Sequence, residues 1–420
     1  MEGATASRLA GIEGNLLAAM EGFEVIDCHE HLGLEENRTS IPVDLFTLFT
    51  VCNYEFRDLA LAGMSEADRQ ALRNQDIPLS RRWALFAPYW QRIRWGSYAR
   101  AVLLAVQRFY GAEDINEHTY EAISEAMRQA NKPGLYQRVL GDTCRIGTAL
   151  VVRPQGQPTS TGTPLLTPLG IVAYEMETWE ALSRPLFAPE ASIRSLDDYL
   201  DALRAYVLRA KSEGAVGLKM VVSRFGEPER QEAISAFDGL RTGAVARLPT
   251  PNPLRDYVTD QIIAFAGEQG LVIAVHTGYW DDFRQLDPLH MIPLLQRHPK
   301  VRFDIYHLGY PWVRETLMLG KGFANVWLNF CWTHIISQRF ATAAFDEAID
   351  LIPTNKILGF GGDYLLGVEK VYGHLVMARE DIARVLAQRV VERRMTESQA
   401  MEIAHRWLWD NPRELYGLNV

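Results

Sequence analysis

Short apolar runs recur along the chain, and most of them are followed by a stretch with helical periodicity. Eight such runs lie at residues 23–32, 145–152, 169–177, 215–222, 271–279, 301–309, 325–333 and 356–364. Continuous runs rich in Val, Ile and Leu are typical of parallel strands buried on both faces. Eight units of this kind predict an α/β fold, the (β/α)8 TIM barrel. The connection RPQGQPTSTGTPLLTP, between the second and third runs, has turn residues and no helical pattern.

Residues 35–140 interrupt this alternation. The segment has helical periodicity, few strand signals and many aromatic and arginine side chains. A loop of that length without secondary structure would be unusual, so we expect a helical insertion over the mouth of the barrel. The predicted organisation is a helical lead-in at 1–22, a barrel at 23–34 and 141–369, the insertion at 35–140, and C-terminal helices at 370–420.

Composition excludes several classes of protein. The chain has 420 residues, a 48% hydrophobic share and a net charge of −9, and its basic residues are scattered, which argues against a nucleic-acid partner. Its 4 cysteines are far apart in sequence, which favours a reducing, cytoplasmic location. No uninterrupted apolar span is long enough for a membrane helix. We therefore expect a small-molecule substrate as the partner. The sequence is compatible both with a monomer and with a homo-oligomer.

The first run ends in a pattern suited to metal binding. It reads FEVIDCHEHLG from Phe23 to Gly33, and side chains alternate faces along a strand. Asp27, His29 and His31 therefore share one face. Two imidazoles at this spacing can hold one cation at about 2.0–2.1 Å each, with Asp27 placed to orient one of them. A chance pair of histidines in a loop or core would give the same tripeptide. A metal site is therefore predicted only if other strands also carry ligand-type residues.

Further polar residues fall at or near the ends of other predicted strands: Lys219, His276, His307, His334 and Asp363. In a barrel the carboxyl ends of the strands meet on one face, and that face carries the chemistry. Each residue also has an ordinary structural explanation as a core histidine, a strand-end lysine or a turn aspartate. Charged groups are costly to bury without partners, so their joint occurrence at strand ends favours a shared site.

With these residues at the strand ends, the sequence resembles the amidohydrolase superfamily, in its broad amidohydrolase-related branch. The matching motifs are DCHEHL, VHTG, YHLGYP and GFGGDY on the first, fifth, sixth and eighth strands, with NPRELYGL at the end. The resemblance implies that His29, His31 and Asp363 hold a divalent metal, zinc in the first place and manganese as an alternative. Members with two ions add a carboxylated lysine and two later histidines, which match Lys219, His276 and His307. Members with one ion often use the fifth-strand histidine instead.

The resemblance also implies the chemistry. The expected activity is that of a metal-dependent hydrolase, which activates a metal-bound water against a C–N or C–O bond of an amide, lactone or ester. Asp363 takes the proton of that water, and His307 is either a ligand or a donor to the developing oxyanion. Two ions with a carboxylated Lys219 are favoured over one ion with an ammonium at that position.

Other reactions stay open. The layout is similar to that of uronate isomerases, which also have a helical insertion after the first strand and a Trp-containing motif where this chain has NFCWTHIIS. GGDY is closer to the hydrolase and decarboxylase members, so decarboxylation of an aromatic acid is a further alternative. A binding barrel without chemistry would lack ligand residues that are present here. Substrate contacts are predicted just beyond strand ends, at Arg224, Tyr279, Trp332 and His334.

Overall fold

The computed structural model describes residues 2–50, 53–153, 158–172, 176–183, 193–279 and 282–420. Its eight strands form one sheet in the order β1 to β8. The strands are β1 Val25–Glu30, β2 Ile146–Val152, β3 Leu166–Ile171, β4 Gly217–Val221, β5 Val272–His276, β6 Phe303–Ile305, β7 Val326–Asn329 and β8 Ile357–Leu358. Neighbouring strands from β3 to β8 pair in parallel. The predicted (β/α)8 barrel is confirmed, and all eight apolar runs contain a strand; residues 173–175 of the third run lie outside the described residues.

Helices occupy much of the remaining chain. The α-helices are α1 Glu2–Glu21, α2 Glu35–Thr39, α3 Thr47–Thr50, α4 Asn53–Leu61, α5 Glu66–Arg73, α6 Leu79–Ile93, α7 Ser97–Tyr110, α8 Tyr120–Ala130, α9 Trp179–Ser183, α10 Leu196–Ser212, α11 Arg230–Thr242, α12 Pro253–Glu268, α13 Ile292–Arg297, α14 Val313–Gly322, α15 Thr333–Ile336, α16 Gln338–Leu351, α17 Glu369–Val391, α18 Glu397–His405 and α19 Asn411–Tyr416. Short 3-10 helices lie at Phe283–Leu286, Pro288–Met291, Tyr306–Gly309 and Thr354–Lys356, and π-helical turns at Gln137–Thr143 and Arg406–Asp410. Within the described part of the chain, no helix has the length and apolar character needed to cross a bilayer.

The chain divides into two compact units. Unit 1 comprises Met1–Ala149, Trp332–Asp346 and Gly359–Trp409. Unit 2 comprises Leu150–Cys331, Glu347–Leu358 and Asp410–Val420. Both units are therefore built from segments that are distant in sequence.

Unit 1 contains the helices between residues 35 and 130, which have an apolar core of their own. Phe86 and Trp90 on α6 are fully buried in it. Trp83 stacks on Tyr120 with the rings 4.8 Å apart and 6° from parallel. Most aromatic side chains of this segment thus pack between helices, as amphipathic patterning requires.

Unit 2 contains the strands β3 to β7. In their register Lys219 pairs with Ala274, and Ala274 pairs with Asp304. Paired residues of parallel strands project from the same face of the sheet. Val221 pairs with His276 one pleat further along, so His276 also lies on the face of Lys219.

Candidate metal centre

In unit 1, His29 on β1 and His31 just beyond it converge on one carboxylate. Nε2 of His29 lies 3.1 Å from Oδ1 of Asp363, and Nε2 of His31 lies 3.4 Å from the same atom. The His29 side chain is buried, whereas that of His31 is 38% exposed. The alternation of a strand places both rings on one side, as the sequence predicts.

The segment that carries Asp363 is fixed by hydrogen bonds to β1. The backbone N–H of Asp363 donates to the His29 carbonyl at 2.8 Å, and the N–H of His31 donates to the Tyr364 carbonyl at 3.0 Å. Asp363 has a φ of +62°, a left-handed conformation that is uncommon outside glycine. Since strain of this kind persists only when the surroundings determine it, the Asp363 side chain is preset towards the histidines.

Two buried carboxyl groups of β1 support the same segment. Oδ1 of Asp27 accepts the backbone N–H groups of His29 and Gly362, at 3.2 and 3.1 Å. Oε2 of Glu30 accepts the N–H of Tyr364 at 2.6 Å. Burial raises the pKa of Asp27 to about 6 and that of Glu30 well above its ordinary value. Asp27 thus orients the backbone around the histidines, whereas the sequence predicts a contact with an imidazole ring.

The donor set of unit 1 fits a divalent metal. Two imidazole nitrogens lie within 3.4 Å of one carboxylate oxygen, and N and O donors of this kind are ligands that Zn²⁺ and related ions take. Each donor stands on a strand or a strand-end segment with fixed backbone contacts, which is how metal ligands are held in register.

In unit 2, the histidine that ends β5 is in contact with the one that follows β6. Nε2 of His307 lies 3.0 Å from Nδ1 of His276. Nδ1 of His307 lies 3.1 Å from the carbonyl oxygen of Cys331. A carbonyl only accepts, so Nδ1 of His307 carries the hydrogen, and its Nε2 accepts the Nδ1 hydrogen of His276. His307 is buried, and its φ of +64° turns the chain sharply after β6.

Lys219, also in unit 2, is buried against an aromatic ring. Its Nζ lies 3.9 Å from the centre of the Tyr306 ring. This is the geometry of a cation–π contact, which stabilises an ammonium. The Tyr306 hydroxyl lies 3.4 Å from that of Tyr416, and the Tyr416 hydroxyl donates to Oδ2 of Asp304 at 2.7 Å. Lys219, Tyr306, Tyr416 and Asp304 thus form one buried cluster.

The ionisation of Asp304 in this buried cluster makes folding stability depend on pH. Burial raises the pKa of Asp304 to about 7, while hydrogen bonds from Tyr416 and Asn329 and the charge of Lys219 oppose that shift. A carboxyl whose folded pKa is above its unfolded value keeps more protons in the folded state, so folding stability is lost as pH rises between about 4 and 7.

We expect Asp304→Asn to remove this contribution, because the amide oxygen still accepts from Tyr416 and Asn329. Urea unfolding at pH 5 and pH 8 should show a smaller loss of stability at high pH in the variant than in the unaltered protein. An identical loss in both proteins would contradict the assignment.

The four predicted substrate contacts differ in exposure. Arg224 is exposed beyond β4, and Tyr279 is half-buried beyond β5. In unit 1, Trp332 and His334 are buried. Both ring nitrogens of His334 have protein partners, Asp381 and the Gly359 carbonyl. This geometry favours a supporting role for His334, and it leaves Arg224 and Tyr279 as the accessible pair.

The sequence analysis assigns no role to three buried residues, which are Glu30, Asp381 and Arg153. Strand alternation predicts Glu30 on the face of β1 opposite to His29 and His31, yet its carboxyl group holds the segment next to Asp363. Asp381 lies inside a long helix with no local motif around it. Arg153 directly follows β2 and is buried, and its Nη1 has no partner among the described residues. The position of Arg153 directly after a predicted strand is the sequence feature that could have identified it.

Comparison with known families gives one match over half of the chain. The family model described as amidohydrolase matches residues 186–418. Among curated proteins, the protein fluG of Emericella nidulans is 26% identical over 192 residues, which make up 43% of this chain and 22% of that protein. The chain thus spans less than a quarter of that relative.

Solved structures match over nearly the full length. Glucuronate isomerase from Caulobacter crescentus has 19% identity and a TM-score of 0.82, covering 98% of this chain and 95% of that one. Uronate isomerase from Thermotoga maritima has 16% identity and a TM-score of 0.77, covering 96% and 97%. A protein from Lactobacillus casei described as a metal-dependent hydrolase has 19% identity and a TM-score of 0.66, covering 95% and 96%. At these identities the similarity shows a shared fold.

Proposed function

The chain belongs to the amidohydrolase family of metal-dependent enzymes, and from this premise we propose that it hydrolyses a C–N or C–O bond of a small amide, lactone or ester. The observation that carries the proposal is the approach of His29 and His31 to one oxygen of Asp363. A divalent ion held by these residues, zinc or manganese, would supply a Lewis acid and lower the pKa of water.

The protein residues have distinct roles in this proposal. His29 and His31 hold the ion, and Asp363 holds it and accepts a proton from the attacking water. Since barrel strands present their carboxyl ends on one face, we assign His276 as a further ligand. His307 accepts the Nδ1 hydrogen of His276 through Nε2, so we assign it to orient that ligand. Arg224 and Tyr279 are proposed to contact the substrate, and Arg224 favours an anionic one.

We propose one ion per chain, although the sequence favours two. A second ion requires carboxylated Lys219, and a carbamate would place negative charge against the Tyr306 ring face. The ammonium of Lys219 instead gains from that ring at 3.9 Å. An ammonium at this position also repels a second cation.

A second candidate is isomerisation of a sugar acid. It is supported by the full-length similarity to two uronate isomerases, which extends over the helices that follow β1. An ion that chelates a hydroxy-carboxylate would support proton transfer between neighbouring carbons by the same Asp363 carboxylate. A shared fold does not specify the reaction, so the two candidates are distinguished by which substrate the protein turns over.

The proposal is tested with purified protein loaded with zinc or manganese. We expect one metal equivalent per chain, and turnover on some member of a panel of lactones, N-acyl compounds and esters that is lost on chelation and restored by metal. Uronates and hydroxybenzoates serve as the comparison substrates.

Isomerised uronate without any hydrolysis would overturn the hydrolase proposal in favour of the second candidate. Two equivalents together with the mass of a carboxylated lysine at Lys219 would contradict the single ion. A fully folded protein that binds neither metal would exclude both activities.

A further inference from the structure

A buried histidine and aspartate of unit 1 stand behind the segment that carries Asp363. Nδ1 of His334 lies 3.0 Å from Oδ2 of Asp381, and its Nε2 lies 3.0 Å from the carbonyl oxygen of Gly359. His334 and Asp381 are both fully buried. Gly359 opens the segment GFGGD, which ends at Asp363.

The acceptors fix the protons of His334. A carbonyl oxygen only accepts, so Nε2 carries a hydrogen and donates it to Gly359. Nδ1 faces a carboxylate, with which it shares the second proton as a charge-assisted hydrogen bond. Asp381 therefore fixes the orientation of the His334 ring and determines which ring nitrogens carry hydrogen, since the partner of one nitrogen sets the role of the other.

Asp381 is itself held in place. Its Oδ1 accepts from Nε2 of Gln338 at 3.1 Å and lies 3.4 Å from the Thr342 hydroxyl. Gln338 is in turn hydrogen bonded to Arg100 on α7. The dyad is thus tied to residues of α16, α17 and α7 that belong to the same unit.

Each residue of 359–363 has a backbone hydrogen bond, and these come from two sides. From β1, Cys28 donates to the Phe360 carbonyl at 3.1 Å, and the Asp27 carboxyl accepts from Gly362. From the opposite side, Trp332 donates to the Gly361 carbonyl at 3.0 Å, and His334 donates to Gly359. The left-handed φ of Asp363 requires such support on both sides.

We propose that His334 and Asp381 are positioning residues for the metal ligand Asp363, and that His334 acts through the Gly359 carbonyl without touching substrate. The proposal rests on the metal centre proposed above. Loss of the His334 donor leaves the Gly359 carbonyl unpaired in the core and loosens the segment that holds the Asp363 carboxylate.

The test compares three variants of the full chain. His334→Phe keeps the ring shape but removes the donor, and His334→Gln restores a donor at similar reach. Arg82→Met is the matched control, because Arg82 pairs with buried Asp44 at 2.6 Å in the helical segment after β1, and its loss also leaves a buried carboxylate without its partner. Zinc affinity is measured by competition with a chelator, and amide hydrogen exchange is followed over residues 359–364.

We expect His334→Phe to bind zinc roughly 10-fold more weakly, the lower end of the effect seen for groups that orient metal ligands. Exchange over 359–364 should be faster in this variant, and His334→Gln should recover most of both losses. Arg82→Met should be destabilised without either change.

Unaltered affinity and exchange in His334→Phe, or equal losses in Arg82→Met, would overturn the proposal. If the unaltered protein binds no metal, the metal centre fails, and hydrogen exchange alone still decides whether His334 holds the segment.

Discussion

Asp363→Asn is expected to lower turnover by roughly 10²–10⁴-fold at saturating metal, the usual contribution of a general base. Asparagine keeps the shape of the side chain and one oxygen towards His29 and His31. It carries no negative charge and does not accept a proton, so both the proposed ligand and the proposed base are impaired. Metal affinity should fall but remain measurable, because the two imidazoles are unchanged.

The measurement is kcat with metal content determined on the same sample, which separates lost chemistry from lost metal. Asp114→Asn is a suitable control, since Asp114 pairs with Arg94 in the helical segment after β1, with its side chain 34% exposed. That variant should turn over normally. Normal turnover of a metal-loaded Asp363→Asn protein would remove Asp363 from the mechanism.

Gly373→Ala is expected to destabilise the protein by about 3 kcal/mol, as severe overpacking does. Gly373 lies on α17, where an added Cβ would stand 2.1 Å from the backbone oxygen of Ala101 on α7. Backbone cannot rotate away as a side chain does, so the two helices have to separate. The gain in helix propensity from glycine to alanine, about 1 kcal/mol, is smaller than this cost.

Urea unfolding monitored by circular dichroism measures the effect. Gly14→Ala on α1 is the matched control, because a Cβ at Gly14 would meet nothing within 4 Å. It should leave stability unchanged or raise it slightly through helix propensity. Equal midpoints for the two variants would show that α7 and α17 do not constrain each other.

The contacts of His334 and Asp27 depend on residues that are distant in sequence, so no local pattern predicts them. His334 follows a strand, and position alone predicts a rim residue open to substrate. In the folded chain its ring is covered by α17, whose Asp381 lies 47 positions further on and belongs to no motif. Asp27 alternates correctly with His29, yet its partner Gly362 lies 335 positions away.

The last strand shows a related limit. Its apolar run predicts a strand over 356–364, but the ladder contains only Ile357–Leu358. The glycines that follow leave the ladder and allow the left-handed turn that directs Asp363 towards His29 and His31.

The approach of Asp363 to His29 and His31 was expected only from the family resemblance; by itself the sequence determined the eight-strand barrel and the shared face of the two histidines. These follow from the period of a strand and from the burial of apolar runs, which are local properties. Only the tertiary structure decided which groups hold Asp363 in place, that Lys219 packs on the ring of Tyr306, and that His334 is internal. Those contacts join segments that are distant along the chain, and no local pattern encodes which of them meet.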